Sequence, residues 1–367
     1  MKLYKLVPIL LISVLVSCND DLSFRSGGDG IDLTNLPFDP QTFEVNRPIG
    51  YPQLEFPPNN PLTQDGIDLG RHLFYDPILS IDSTLSCSSC HLPSGAFTDN
   101  LAVSPGVDGT TGRRSSMSLI DVGFHLNGLF WDGRVSSLEE QALLPVEDVI
   151  ELHNTWPNVI EDLQAHDEYP ARFRAAFGIE NTSEITKELA AMALAQFERS
   201  LVSSGNSKYD RALRGLELPT DQEIMGRDIF FDEDPNLPDG QCFHCHSAPL
   251  FTDNLYRNNG IDEAPEFGGF PDFGLGGFTG EEVENGRFRT PTLRNIEFTA
   301  PYMHDGRFET LEEVMDHYVS GGLPSINKDP LIDSIFLNTE QKAAVVAFLL
   351  TLSDTTALND PRYANPD

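Results

Sequence analysis

Apolar residues in this chain recur at helical rather than alternating spacing. Leu69, Leu73 and Phe74 fall on one face of a short helix. Ser137-Leu138-Glu139-Glu140 has the form of a capping box that opens another. Residues 186–201 read as a strong amphipathic helix with Leu189, Met192, Ala193 and Phe197 turned inward. Residues 221–231 repeat the pattern around Leu69, and residues 310–319 follow a Thr cap with Leu311, Val314, Met315 and Tyr318 sharing a face. Residues 339–352 close the series as an apolar helix. Strand signals are sparse, and long Gly/Pro loops cover residues 101–113 and 261–286. The expected fold class is mainly α.

The chain also repeats itself. Gly70-Arg71-His72-Leu73-Phe74-Tyr75-Asp76 has a counterpart in Gly226-Arg227-Asp228-Ile229-Phe230-Phe231-Asp232. Phe-Thr-Asp-Asn occurs at residues 97–100 and again at 251–254. Phe130-Trp131-Asp132-Gly133-Arg134 precedes Leu138-Glu139-Glu140 at the same spacing at which Met303-His304-Asp305-Gly306-Arg307 precedes Leu311-Glu312-Glu313. One unit used twice implies two like domains, assigned to residues 56–215 and 216–367.

Each unit carries Cys-x-x-Cys-His, as Cys87-Ser88-Ser89-Cys90-His91 and Cys242-Phe243-His244-Cys245-His246. This is the attachment signature of c-type haem: two thiols add to the porphyrin vinyl groups and the adjacent His reaches the iron. A zinc half-site or a redox Cys pair is the alternative. Zinc wants four N/S ligands, usually from a second Cys pair close by. Here the pairs lie far apart and each brings its own His, so two covalent haems are expected, in two cytochrome c-like domains in tandem. The long loops suit a fold in which haem replaces much of the core.

The ends and the charge add a location. Residues 1–17 carry Lys2, Lys5 and an apolar run over 6–16, the form of a signal peptide and too short for a membrane span. Leu15-Val16-Ser17-Cys18 resembles a bacterial lipobox, which would make Cys18 a lipidated residue; an ordinary secretory signal with a stray Cys is the alternative. Of five cysteines, four serve haem and the fifth is Cys18, leaving none for a structural disulfide. A cell-envelope protein is expected, on the periplasmic side or outer surface, held by a lipid anchor rather than a span. Residues 18–55, rich in Asp, Gly, Pro and Asn, read as a tether. The net charge of −33, with nothing basic clustered, argues against nucleic-acid binding. It suits attraction of a basic redox partner, and equally mere solubility.

The order of these motifs resembles the bacterial dihaem cytochrome c peroxidase family, including its methylamine-utilisation (MauG-type) branch, over about residues 62–352. The resemblance implies that the N-terminal haem, held by Cys87, Cys90 and His91, reacts with hydrogen peroxide, and that the C-terminal haem, held by Cys242, Cys245 and His246, relays electrons. It makes Trp131 the residue between the haems and Gln141, Pro145 and Glu151 the distal pocket. Breaking a peroxide O–O bond needs a proton shuttle, which a carboxylate such as Glu151 can supply. A calcium ion is also implied, at Thr299, Pro301 and Ser115, although the family's Asn is replaced by Ser115 here.

Two departures matter. The loop over residues 101–114 lacks the distal His of the peroxidase branch, and Val107 stands at about its place, so an open site is expected. Tyr318 stands where the peroxidases have an axial Met, as in the MauG-type branch, with Met315 and His317 as rivals; at most one of the three should face the iron. His304 is expected near the second haem without ligating it, while His72, His125, His153 and His166 read as surface or core residues. The function implied is a peroxidase that draws electrons from a small soluble cytochrome c. The alternatives are a MauG-type oxidase of a protein or organic substrate, and a non-enzymatic dihaem carrier, which would have no use for Glu151. A homodimer is one option for the oligomeric state, which the sequence does not fix.

Overall fold

In the computed structural model, which describes residues 30–366, the helices in chain order are α1 (Gln64–Tyr75), α2 (Cys87–Cys90), α3 (Leu138–Glu147), α4 (Trp156–Ala165), α5 (Tyr169–Phe177), α6 (Lys187–Ser200), α7 (Lys208–Leu213), α8 (Asp221–Phe231), α9 (Leu275–Thr279), α10 (Leu311–Ser320), α11 (Thr339–Leu350) and α12 (Thr355–Leu358). Two strands, β1 (Tyr256–Arg257) and β2 (Phe288–Arg289), form a single antiparallel pair. The signal-peptide and lipobox readings, and Cys18 with them, lie outside the described residues.

Each half is built on two helices crossing at a glycine. A Cβ on Gly70 of α1 would stand 1.9 Å from the Ala193 carbonyl oxygen of α6. A Cβ on Gly226 of α8 would stand 1.9 Å from the Ala344 oxygen of α11. Only glycine lets the two backbones approach so closely. The close crossing then stacks the same aromatic pair in each half. The Phe74 and Phe197 rings lie 5.1 Å apart, and so do those of Phe230 and Phe348. Around the first pair gathers a core that includes Leu69, Leu73, Phe97 and Phe173; around the second, Ile229, Phe251, Val345 and Leu352.

The N-terminal caps follow the sequence pattern with one difference. The Thr310 hydroxyl accepts the Glu313 N–H, and the Glu313 carboxylate accepts the Thr310 N–H, a closed capping box for α10. On α3 the Ser137 hydroxyl accepts the Glu140 N–H, but the Glu140 carboxylate turns to the N–H and hydroxyl of Ser136 instead. Helix α6 differs from its expected stripe. Ala193 and Phe197 are fully buried but Leu189 and Met192 only half so, because its C-terminal half is enclosed on all sides, including Gln196, Glu198 and Arg199.

Two stretches pack differently from what composition suggests. From residue 30 on, the segment read as tether lies against the first half: Leu33, Tyr51 and Leu54 are buried, and the Leu33 and Phe43 N–H groups donate to the Glu180 and Leu62 carbonyls. Apolar residues spaced among Pro, Asp and Asn anchor it, a pattern that overall composition averages away. The last residues return to the first core. Ala357 and Tyr363 pack there, and the Tyr363 hydroxyl donates to Ser200 O at 2.7 Å.

Candidate functional site

The geometry begins at the two Cys-x-x-Cys-His motifs. Cys87–Cys90 wind as one short helix after Ser86, and the His91 N–H closes it on Cys87 O at 3.0 Å. In the second motif the His246 N–H does the same to Cys242 O at 2.9 Å. Each imidazole is then turned by the Phe-Thr-Asp-Asn repeat. His91 Nδ1–H donates to Phe97 O at 2.8 Å, and His246 Nδ1–H donates to Phe251 O at 3.0 Å. Phe97 and Phe251 hold positive φ, of 63° and 54°, which swings their carbonyls back toward the His. With Nδ1 occupied, Nε2 is the nitrogen left for a metal, the usual device for orienting a ligating His. Burial lowers the pKa of both imidazoles and so favours the neutral, ligating form.

Each motif opens onto a cavity. The first, of about 550 Å³, is lined by Cys87, Cys90 and His91 and also by Gln141, Pro145 and Glu151. The second, of about 230 Å³, is lined by Cys242, Cys245, His246, Met315 and Tyr318. Trp131, Ser115, His125 and Arg289 line both. The Trp131 indole is fixed in this shared wall because Nε1–H donates to Ser115 O at 3.0 Å.

The residues present fit two haems. Both thiols and the His of each motif face a cavity, and the shared wall holds an unpartnered charge. Arg289 is 2 % exposed, and none of its three guanidinium nitrogens has a hydrogen-bond partner among the described residues. Burial drags its pKa down to about 10. A buried guanidinium without an acceptor is costly, and the carboxylates of porphyrins in the two cavities would supply acceptors where it points. His304, expected near the second haem, lines the second cavity with its ring stacked 3.6 Å from Phe288.

Around the first cavity, α3 presents Gln141 and Pro145, and the turn after it presents Glu151. The Val107 N–H donates to Glu151 O at 3.0 Å, which ties the loop over residues 101–114 to the acid. That loop contributes Ser104, Pro105, Gly106, Gly112, Arg113 and Arg114 to the lining and no histidine. Glu151 keeps accessible surface because it stands on a cavity wall, yet protein surrounds it on its other sides. Burial first, then the Asp148 carboxylate, raises its pKa, while Arg134 opposes them. A carboxyl whose pKa is raised in this way is suited to proton transfer.

Around the second cavity the three rivals separate. Asn259 Nδ2–H donates to the Tyr318 hydroxyl at 3.3 Å, and burial pushes that phenol up to about 12. His317 does not line the cavity; its Nε2–H donates to Asn259 O at 3.0 Å. Of the three, Met315 and Tyr318 line the cavity. Met315 lies one turn before Tyr318, and a three-residue step keeps both on one face of α10. Sequence reasoning missed Met303, which lines the same cavity and whose Sδ accepts from Asn259 Nδ2–H at 3.4 Å.

Sequence reasoning also took His125 for an ordinary surface or core residue, whereas it stands in the wall between the cavities. No motif surrounds it, so only the fold reveals it. Thr299, Pro301 and Ser115 come together on the second cavity. The Ser115 hydroxyl donates to Met303 O at 3.1 Å, and among the described residues no cluster of three or more His, Cys, Asp or Glu is arranged for a metal ion.

Comparison with known proteins agrees with this geometry. The family model for di-haem cytochrome c peroxidase matches residues 64–217. The methylamine utilization protein MauG of Methylorubrum extorquens is 34 % identical over 354 residues, 94 % of this chain and 95 % of its own. The cytochrome c551 peroxidase of Nitrosomonas europaea is 34 % identical over 294 residues, 80 % of this chain and 81 % of its own. Among solved structures, a MauG-like protein associated with microbial copper homeostasis superposes with a TM-score of 0.81 at 34 % identity, covering 89 % of this chain and 99 % of that one.

Proposed function

Because the chain belongs to the di-haem cytochrome c peroxidase family, we propose that it reduces hydrogen peroxide to water at the Cys87–Cys90–His91 centre, with electrons from a small cytochrome c entering through the Cys242–Cys245–His246 centre. The observation that supports this reading is that Gln141, Pro145 and Glu151 line the same cavity as His91. The overall reaction consumes one peroxide, two electrons and two protons and yields two waters. Bound haem supplies the redox-active iron and the coordination site for peroxide. The protein supplies the rest. Cys87 and Cys90 hold one porphyrin and Cys242 and Cys245 the other, and His91 and His246 offer Nε2 to the irons.

Glu151 takes a proton from one peroxide oxygen and returns it to the other, which departs as water. The Gln141 amide orients peroxide beneath it, and Pro145, with no N–H, leaves that part of the wall without a competing donor. Trp131 is held rigid between the two centres by its bond to Ser115.

A MauG-type oxidation of a protein or organic substrate is a second reading. It is supported by the Tyr318 phenol on the second cavity and by the 34 % identity to MauG and to the MauG-like structure. We add a lipid anchor at Cys18 in the cell envelope. We also add a calcium ion bound through backbone oxygens near Thr299, Pro301 and Ser115. The test is steady-state oxidation of reduced small cytochrome c by purified dihaem protein with peroxide. Peroxide-dependent turnover is expected; none with any cytochrome, together with peroxide-driven oxidation of a protein substrate, selects the MauG-type reading.

A further inference from the structure

The internal repeat offers a comparison that neither half gives alone. The helix crossings at Gly70/Ala193 and Gly226/Ala344 superimpose α6 on α11, so Phe197 corresponds to Phe348. One residue further on, both helices present a side chain to their own cavity. In the second half it is Leu349, 7 % exposed, as expected of a haem-packing wall. In the first half it is Glu198, 6 % exposed. Its Oε2 has no hydrogen-bond partner among the described residues. A buried carboxyl oxygen without a partner is costly.

Glu198 and Glu151 are the two carboxyls of raised pKa on the first cavity. Arg199, next to it on α6, is committed to Glu139 of α3, bonded at 2.6 Å and 2.7 Å. Cys87 of α2, which lines the same cavity and is influenced by Glu198, loses its proton for good when thioether forms. The α1 face against α6 presents Leu69, Leu73 and Phe74, and the Tyr75 hydroxyl is spent on Tyr363 O. The turn Val122–Phe124 carries no titratable side chain. Burial pushes the Glu198 carboxyl up to about 8, with Glu139 adding to the rise and Arg199 opposing it.

We propose that Glu198 is a proton-exchanging carboxyl of the first haem site, which binds one proton when that haem gains one electron and releases it on reoxidation. The physical reason is charge balance. A ferric haem carries one more positive charge than a ferrous one, and in a low-dielectric cavity it holds the nearby carboxylate ionised. One electron from a reduced cytochrome, or from dithionite in the test, removes that charge; the Glu198 carboxylate then takes a proton from solvent, and the net charge of the site is unchanged. Leu349 gives the second haem no such coupling. The role is one of positioning charge.

The inference rests on the haem reading of Cys87, Cys90 and His91, so haem is counted first by pyridine haemochrome. A chain without the first haem refutes that reading; a chain with both refutes nothing yet and goes into a spectroelectrochemical titration. Below the Glu198 pKa of about 8 and above the lower value that the ferric charge imposes, the wild-type potential of the first haem should fall as pH rises, approaching about 59 mV per tenfold change in proton concentration for one proton per electron. In Glu198→Gln and Glu198→Leu the slope should vanish, with the potential resting near the wild-type acid limit, while Glu151→Gln keeps the slope. A flat wild-type profile, or a slope that survives in Glu198→Gln, overturns the proposal. Should the variants not fold, redox-difference infrared spectra of Glu151→Gln protein carrying carboxyl-labelled glutamate decide it. A protonated-carboxyl band that appears on reduction and disappears on reoxidation supports it, and the lack of one overturns it.

Discussion

Replacing Glu151 with Gln removes a proton-transferring group while keeping size, shape and one hydrogen-bonding oxygen. Since Gln141, Pro145 and the His91 side of the cavity are untouched, the loss should fall on chemistry rather than on binding or folding. General acid–base catalysis is worth about a hundredfold to ten-thousandfold, or roughly 2.7–5.4 kcal/mol of barrier. The assay is stopped-flow mixing of the oxidised protein with peroxide under single-turnover conditions, read as the rate of peroxide consumption. The pH profile gives a second, independent readout. Burial and Asp148 raise the Glu151 pKa from 4.5, and the group acts as a base only when ionised. The wild-type rate should therefore rise with pH along a limb centred above 4.5, and Glu151→Gln should lose that limb. Asp148→Asn relieves the repulsion and keeps the Oδ1 that accepts the Ile150 N–H, so it should move the limb to lower pH without removing it. Wild-type rates in Glu151→Gln at every pH would refute the reasoning and leave Glu151 a solvated acid.

Three further outcomes follow from the same geometry. Tyr318→Phe should change the low-spin EPR spectrum of the second haem while Met315→Leu leaves it unaltered; the reverse pattern, with a sulfur–iron charge-transfer band, would assign Met315 instead. Trp131→Phe forfeits the bond to Ser115 O, so donor-driven turnover should fall while single-turnover peroxide consumption persists; unchanged turnover would reduce Trp131 to packing. Gly70→Ala drives a Cβ to within 1.9 Å of Ala193 O and should destabilise the first half by about 1–3 kcal/mol or more, seen as a lower thermal unfolding midpoint, whereas an unchanged midpoint would mean that α1 and α6 separate freely.

Much of this site is written locally. A Cys-x-x-Cys-His motif and a Phe-Thr-Asp-Asn turn are contiguous, so the thiols, the His and the carbonyl that orients it can be read in order. Helix periodicity likewise marks α1, α8 and α10, because each buries one stripe and leaves the opposite face to solvent. The same logic falters for α6, which is enclosed all round and shows no clean stripe for its last turns, and there Glu198 reads as an ordinary polar residue. Residues 30–55 read as a tether because composition sees their Pro and Asp and not the few apolar anchors.

The sequence by itself therefore determined what each half contains: the repeat, the haem ligands and the helices that carry them. Only the tertiary structure decided what stands between the halves. Arg289, His125 and Trp131 come from different segments, and none has a local pattern that marks it for a shared wall. His317 and Tyr318 are adjacent in sequence, yet the carbonyl and the amide of Asn259 sort one away from the cavity and the other into it. Local patterns record which face of an element is buried. Which groups meet across that burial is fixed by how the elements cross, and here by two glycines that let them cross so closely.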